Sequence, residues 1–220
     1  MNLTQRINPR RLVYGSLLSL ILLSPFWLMS SAAAHHPSGG QTPDTLLSGV
    51  LSGLGHPVIG LDHLTFVIAS GLVAIGLRWG ILIPIGFLVT ALIGTGLHLM
   101  GQNMPQLEMA IASSVILFGL ILGLRKRDVS RLPAFENTAI VGALAAIAGL
   151  FHGYAYGEAI IGAEMTPLLA YLTGFTLMQG SLALFAYFMG KALFSLWTPL
   201  VQYFGFAIGA IGLVFLSQAI

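Results

Sequence analysis

The sequence predicts an all-α polytopic membrane helix bundle. It has six transmembrane helices after an N-terminal signal peptide, and a short interfacial or re-entrant helix before the first span. Three observations carry this. The chain is 56% hydrophobic and only 7% charged over 220 residues, so a water-soluble fold would lack the polar residues to cover its surface. Its 27 Gly and 10 Pro are scattered through the apolar runs rather than gathered in a linker, as in closely packed membrane helices. Finally, all nine Lys and Arg fall on one side of the threading and all six His, with most carboxylates, on the other.

The elements follow in order. Arg6, Arg10 and Arg11 precede an apolar run from Leu12 to Met29 and the small residues Ser30 to Ala34, a signal-peptide pattern for residues 1–34. Cleavage after Ala34 would expose His35 and His36 at the mature N-terminus; a retained helix is the other reading. Residues 35–220 then form one transmembrane domain. Leu46, Leu47, Val50, Leu51 and Leu54 recur at helical spacing, but Gly55-His56-Pro57 is expected to break this helix before it reaches the ~20 residues a span needs. The six spans are expected near Val58–Leu77, Gly80–Met100, Pro105–Leu124, Asn137–Gly157, Thr166–Gly190 and Ser195–Gln218.

With the mature N-terminus outside, Arg78, the group Arg125, Lys126, Arg127 and Arg131, and Lys191 all face the cytoplasm, as the positive-inside rule requires. The basic residues are thereby accounted for, and nucleic-acid binding is rejected. Cysteine is absent, which excludes disulfides, thiolate metal sites and thiol catalysis. Gly190-Lys191 is followed by Ala192 and lacks an upstream glycine pattern, so no phosphate-binding loop is present to use ATP.

The outer half collects the chelating side chains. At ~1.5 Å per residue, His63 lies roughly 8 Å inside the first span, His98 near the outer end of the second, Glu108 in the first turn of the third, and His152 about two-thirds across the fourth. A single membrane His is commonly a hydrogen-bonded packing residue, but an intramembrane Asp normally faces a partner or a cavity. Asp62 beside His63 therefore reads as a carboxylate orienting an imidazole or as a co-ligand, with helix capping as the alternative. Gly149, Gly153 and Gly157 repeat every four residues and make a smooth packing face; His152 and Tyr156 share another. Glu158 joins that site only if the helix unwinds near Gly157. Met100, Met104, Met109 and Met165 lie near the outer face, as gap-fillers or as ligands of a softer ion.

His56-Pro57-Val58-Ile59-Gly60-Leu61-Asp62-His63, then Gly96-Leu97-His98, then Phe151-His152-Gly153-Tyr154-Ala155-Tyr156-Gly157 resemble the HupE/UreJ family of hydrogenase and urease accessory membrane proteins. The resemblance implies a nickel or cobalt permease of the bacterial inner membrane, with metalloenzyme-maturation partners or a homo-oligomer. It makes His56, Asp62 and His63 the metal-motif residues, and His98, Glu108, His152 and Glu158 further candidates. Two positions depart from the family pattern: Tyr156 stands where a second His is common, and Gln179 where the fifth helix commonly carries one. Imidazole with carboxylate suits nickel, cobalt, zinc or copper. Uptake of such an ion is the leading expectation; an intramembrane zinc hydrolase holding metal through three of these residues, or a non-transporting accessory subunit, are the alternatives.

Overall fold

The computed structural model describes residues 41–125, 137–196 and 198–220, without the side chains of 193–199. The expected signal segment, His35, His36 and the basic stretch Lys126–Arg131 lie outside the described residues. Among the described residues the chain is all-α, with seven helices and no strand: α1 Leu46–Ile59, α2 Leu61–Val73, α3 Leu82–Leu99, α4 Leu107–Gly123, α5 Thr138–Glu158, α6 Met165–Leu196 and α7 Thr198–Ala219. Helices α3, α5, α6 and α7 are each long and apolar enough to cross a membrane. The bent pair α1 and α2 would make a fifth. Helix α4, at 17 residues, is apolar but shorter.

The break between α1 and α2 differs from the expectation. Thr45 and Ser48 close a reciprocal capping box that starts α1, and the helix then runs through Gly55-His56-Pro57 to Ile59. Pro57 forfeits only its own bond to the preceding turn, and the helix ends two residues later, so little is lost by continuing through it. The chain turns instead at Gly60, whose extended backbone (φ −70°, ψ 97°) sets α2 at 76° to α1. A β-carbon there would approach the His63 ring to 2.7 Å, so glycine is what lets the turn pass over it. The expected span Val58–Leu77 is accordingly no single helix, since α2 has only 13 residues.

Small residues set the pairing. A β-carbon on Gly153 would overlap the Ala91 carbonyl oxygen, and one on Gly94 the Leu150 carbonyl oxygen, so α3 and α5 touch backbone to backbone. Thr95 stitches the same seam, donating to the Gly153 carbonyl at 2.7 Å. Gly119 and Gly123 of α4 meet Gly209 and Gly205 of α7, and Gly49 and Gly53 of α1 meet Pro167 and Tyr171 of α6. Helix α2 occupies the centre, in contact with α1, α3, α4, α6 and α7.

The charges separate by end. Arg78, Arg125 and Lys191 lie at the end where Arg125 Nη1 donates to the Val73 carbonyl (3.3 Å) and Gln202 Nε2 to the Arg125 carbonyl (2.7 Å). Asp44, Glu108, Glu158 and Glu164 are exposed at the opposite end, where Thr42 donates to the Ile161 carbonyl at 3.1 Å.

Candidate functional site

Three imidazoles from three helices meet in the buried interior nearer the acidic end. His56 sits in the last turn of α1, His63 in the first turn of α2, and His152 on α5; all three are fully buried. The break at Gly60 is what brings the first two together, with ring centroids 5.8 Å apart. His63 and His152 approach more closely, Nδ1 to Nδ1 at 2.8 Å. Below, His152 packs on Phe66 and Phe87 at 4.7 and 5.6 Å. The Tyr156 ring packs against both His56 (4.8 Å) and His63 (4.5 Å), with Phe175 behind it at 5.2 Å.

The hydrogen bonds assign the protons in this layer, because each hydroxyl has only one to give. The Ile160 amide bonds to the Gly157 carbonyl, so the Tyr156 carbonyl near the end of α5 is left to other donors. Tyr171 supplies its O–H there at 3.0 Å. The same oxygen is 2.7 Å from His56 Nδ1 and must therefore accept from it, which puts the His56 lone pair on Nε2. On the other side, Ser114 donates to the Ile111 carbonyl (2.7 Å) and so accepts from His152 Nε2 at 2.9 Å. His152 Nδ1 then carries a lone pair and accepts from His63 Nδ1, leaving the His63 lone pair on Nε2 as well. Two neutral imidazoles thus hold the tautomer in which Nε2 can bind a cation.

Asp62 is nearly buried and its Oδ1 accepts the His63 amide at 2.8 Å. The N-cap of α2 is Gly60, so the carboxylate takes up one of the unpaired amides from within the first turn, and this ties it to the His63 backbone.

Other expected site residues lie elsewhere. His98 is half-buried beside Tyr154 (4.3 Å) and lines an open cavity of about 470 Å³ with Gln102, Asn103 and Ile161. Glu108 and Glu158 are exposed, and α5 stays helical through Glu158 rather than unwinding at Gly157. Depth counting places a residue at a level but leaves its direction around the helix open. Among the described residues no three His, Asp or Glu side chains are grouped to hold one metal ion. Met100 and Met165 are exposed at the acidic end, away from the imidazoles.

The family model described as HupE / UreJ protein matches residues 22–215. The chain belongs to the HupE/UreJ family. A similar curated relative is "Protein HupE" of Rhizobium leguminosarum bv. viciae, 31% identical over 129 residues, 58% of this chain. The chain spans about 62% of that relative's length. No solved structure matches. The HupE/UreJ match encloses every residue of the imidazole layer, together with Ser114, Tyr171 and Gln179. Of these, Ser114 lies outside every sequence motif named above, and so does Tyr171. Its signal would have been its type, since a tyrosine inside an apolar helix needs a partner for its hydroxyl.

Proposed function

We propose that this membrane protein is a permease that takes up a divalent transition metal ion, nickel or cobalt, through the His56, His63 and His152 layer. One observation carries the reading: imidazoles from α1, α2 and α5 share a buried level inside an apolar bundle, with two Nε2 lone pairs held by Tyr171 and Ser114 through fixed tautomers. Such groups are costly in a membrane interior, and imidazole is a ligand type these ions favour. A carrier needs sites weak enough to release its ion, whereas a catalytic zinc centre needs three protein ligands on one metal. The two-imidazole arrangement suits the first and lends the hydrolase reading no support.

In this reading the broken pair α1–α2 counts as one span and α4, about 26 Å long, as another, giving six after a cleaved signal segment. The acidic end, with His98, Glu108 and Glu158, faces the periplasm and gathers the hydrated ion; the basic end faces the cytoplasm of a bacterial inner membrane. His35 and His36 would add chelating groups outside. The cargo would serve maturation of a nickel enzyme, in keeping with the family's association with hydrogenase and urease.

Purified chain in proteoliposomes should take up Ni2+ or Co2+ faster than empty liposomes, and His63→Ala should bring the rate down to theirs. Asp62→Asn, which weakens the carboxylate's hold on the His63 amide, should slow uptake less. Wild-type vesicles no faster than empty ones would end the permease reading.

A further inference from the structure

Three polar atoms deeper in the bundle have no hydrogen-bond partner of normal geometry among the described residues: the Tyr156 hydroxyl, and Oε1 and Nε2 of Gln179. Both side chains are fully buried. Gln179 stands one turn beyond Phe175, whose ring packs on Tyr156 at 5.2 Å, so the carboxamide and the Tyr156 hydroxyl share one pocket without a hydrogen bond of normal geometry between them. Thr173 and Thr176 of the same helix, by contrast, donate to the carbonyls one turn back, at 2.8 and 2.7 Å. A buried orphan of this kind is destabilising, and folded proteins rarely leave one without water, an ion or a role.

The position is as telling as the chemistry. Gln179 lies eight residues beyond Tyr171 on α6, roughly 12 Å further toward the basic end. Tyr156 connects the two levels, because its ring packs against His56 and His63 and also against Phe175, one turn from Gln179. An ion leaving the imidazoles toward the basic end therefore comes next to the level of Gln179.

We propose that the Tyr156 hydroxyl and the Gln179 carboxamide oxygen form a second station for the transported divalent cation, which holds it through neutral oxygens and part of its own water shell. This rests on the permease reading. Both donors are uncharged and harder than imidazole, so they bind a nickel- or cobalt-like ion more weakly, and a weaker second site is what allows the ion to leave the first. Gln179 Nε2 cannot bind a cation; it donates instead to the water that stays with the ion or to the Tyr156 oxygen.

Two substitutions at one position separate this from a structural role. Gln179→Leu removes two orphaned atoms and should leave the melting temperature in detergent equal or higher. Equilibrium Co2+ binding should stay within about twofold of wild type, because the imidazoles remain, while Co2+ uptake into proteoliposomes falls by about tenfold or more. Gln179→Glu places a charge at the station and should tighten Co2+ binding while also slowing uptake, because the ion is trapped. If Gln179→Leu transports at the wild-type rate, or Gln179→Glu binds Co2+ no more tightly than wild type, the second station is wrong. Should wild-type vesicles themselves carry no Co2+, the permease reading falls first.

Discussion

Tyr171 and Ser114 touch no cation in this scheme, yet they decide which nitrogen of each imidazole can. Tyr171 receives the His56 Nδ1 proton while giving its own to the Tyr156 carbonyl, and Ser114 does the same for His152 against the Ile111 carbonyl. Removing the Tyr171 hydroxyl leaves a buried carbonyl and a buried ring N–H short of a partner and lets the His56 ring turn. Tyr171→Phe should weaken Co2+ binding about 10- to 100-fold, the usual effect of losing a group that orients a ligand. Ser114→Ala should cost less, since Ser114 orients His63 only through the His63–His152 hydrogen bond. Optical titration with Co2+ checks both, and nitrogen chemical shifts of labelled histidine report the tautomer directly. A Tyr171→Phe variant with wild-type affinity and an unchanged His56 tautomer would remove the orienting role. Neither residue stood out in the sequence, where a serine and a tyrosine in apolar helices look like ordinary packing. Their part depends on which neighbour's carbonyl lies within reach.

At the scale of the helix, glycine decides how closely elements approach. A methyl group at Gly153 would collide with the Ala91 carbonyl, whereas one at Gly142, three turns earlier on the same helix, would meet nothing within 4 Å. Gly153→Ala should therefore lower the melting temperature in detergent, and Gly142→Ala should leave it unchanged or raise it by removing backbone freedom worth up to about 1 kcal/mol. Equal melting points for the two variants would contradict the close α3–α5 seam. The repeat of Gly149, Gly153 and Gly157 was legible in the sequence because four-residue spacing alone defines a helix face. The turn between α1 and α2 was not. Pro57 is the stronger breaker by residue type, yet the chain bends at Gly60, because only there must backbone pass beside the His63 ring.

For the molecule as a whole, charge separation orients the bundle. The chain has no cysteine, so single ones can be introduced at exposed Glu164 and Lys191. A membrane-impermeant maleimide should label Glu164→Cys in intact spheroplasts and Lys191→Cys only after lysis; the reverse pattern would invert the topology and the direction of uptake. The sequence by itself determined the all-α class, the family, the close-packing helix faces and this two-ended charge pattern, because each is a matter of composition or spacing along one helix. It also brought His63, His98, Glu108 and His152 toward one level, since rise per residue sets depth. Only the tertiary structure decided that His56, His63 and His152 share a layer while Glu108 and Glu158 face outward and His98 lines a surface cavity. Likewise, packing alone seated Tyr156 against Phe175, one turn from Gln179. The physical reason is rotational: each helix turns about its axis until its small residues seat against a neighbour's backbone, and that contact, made between segments far apart in the chain, aims every other side chain.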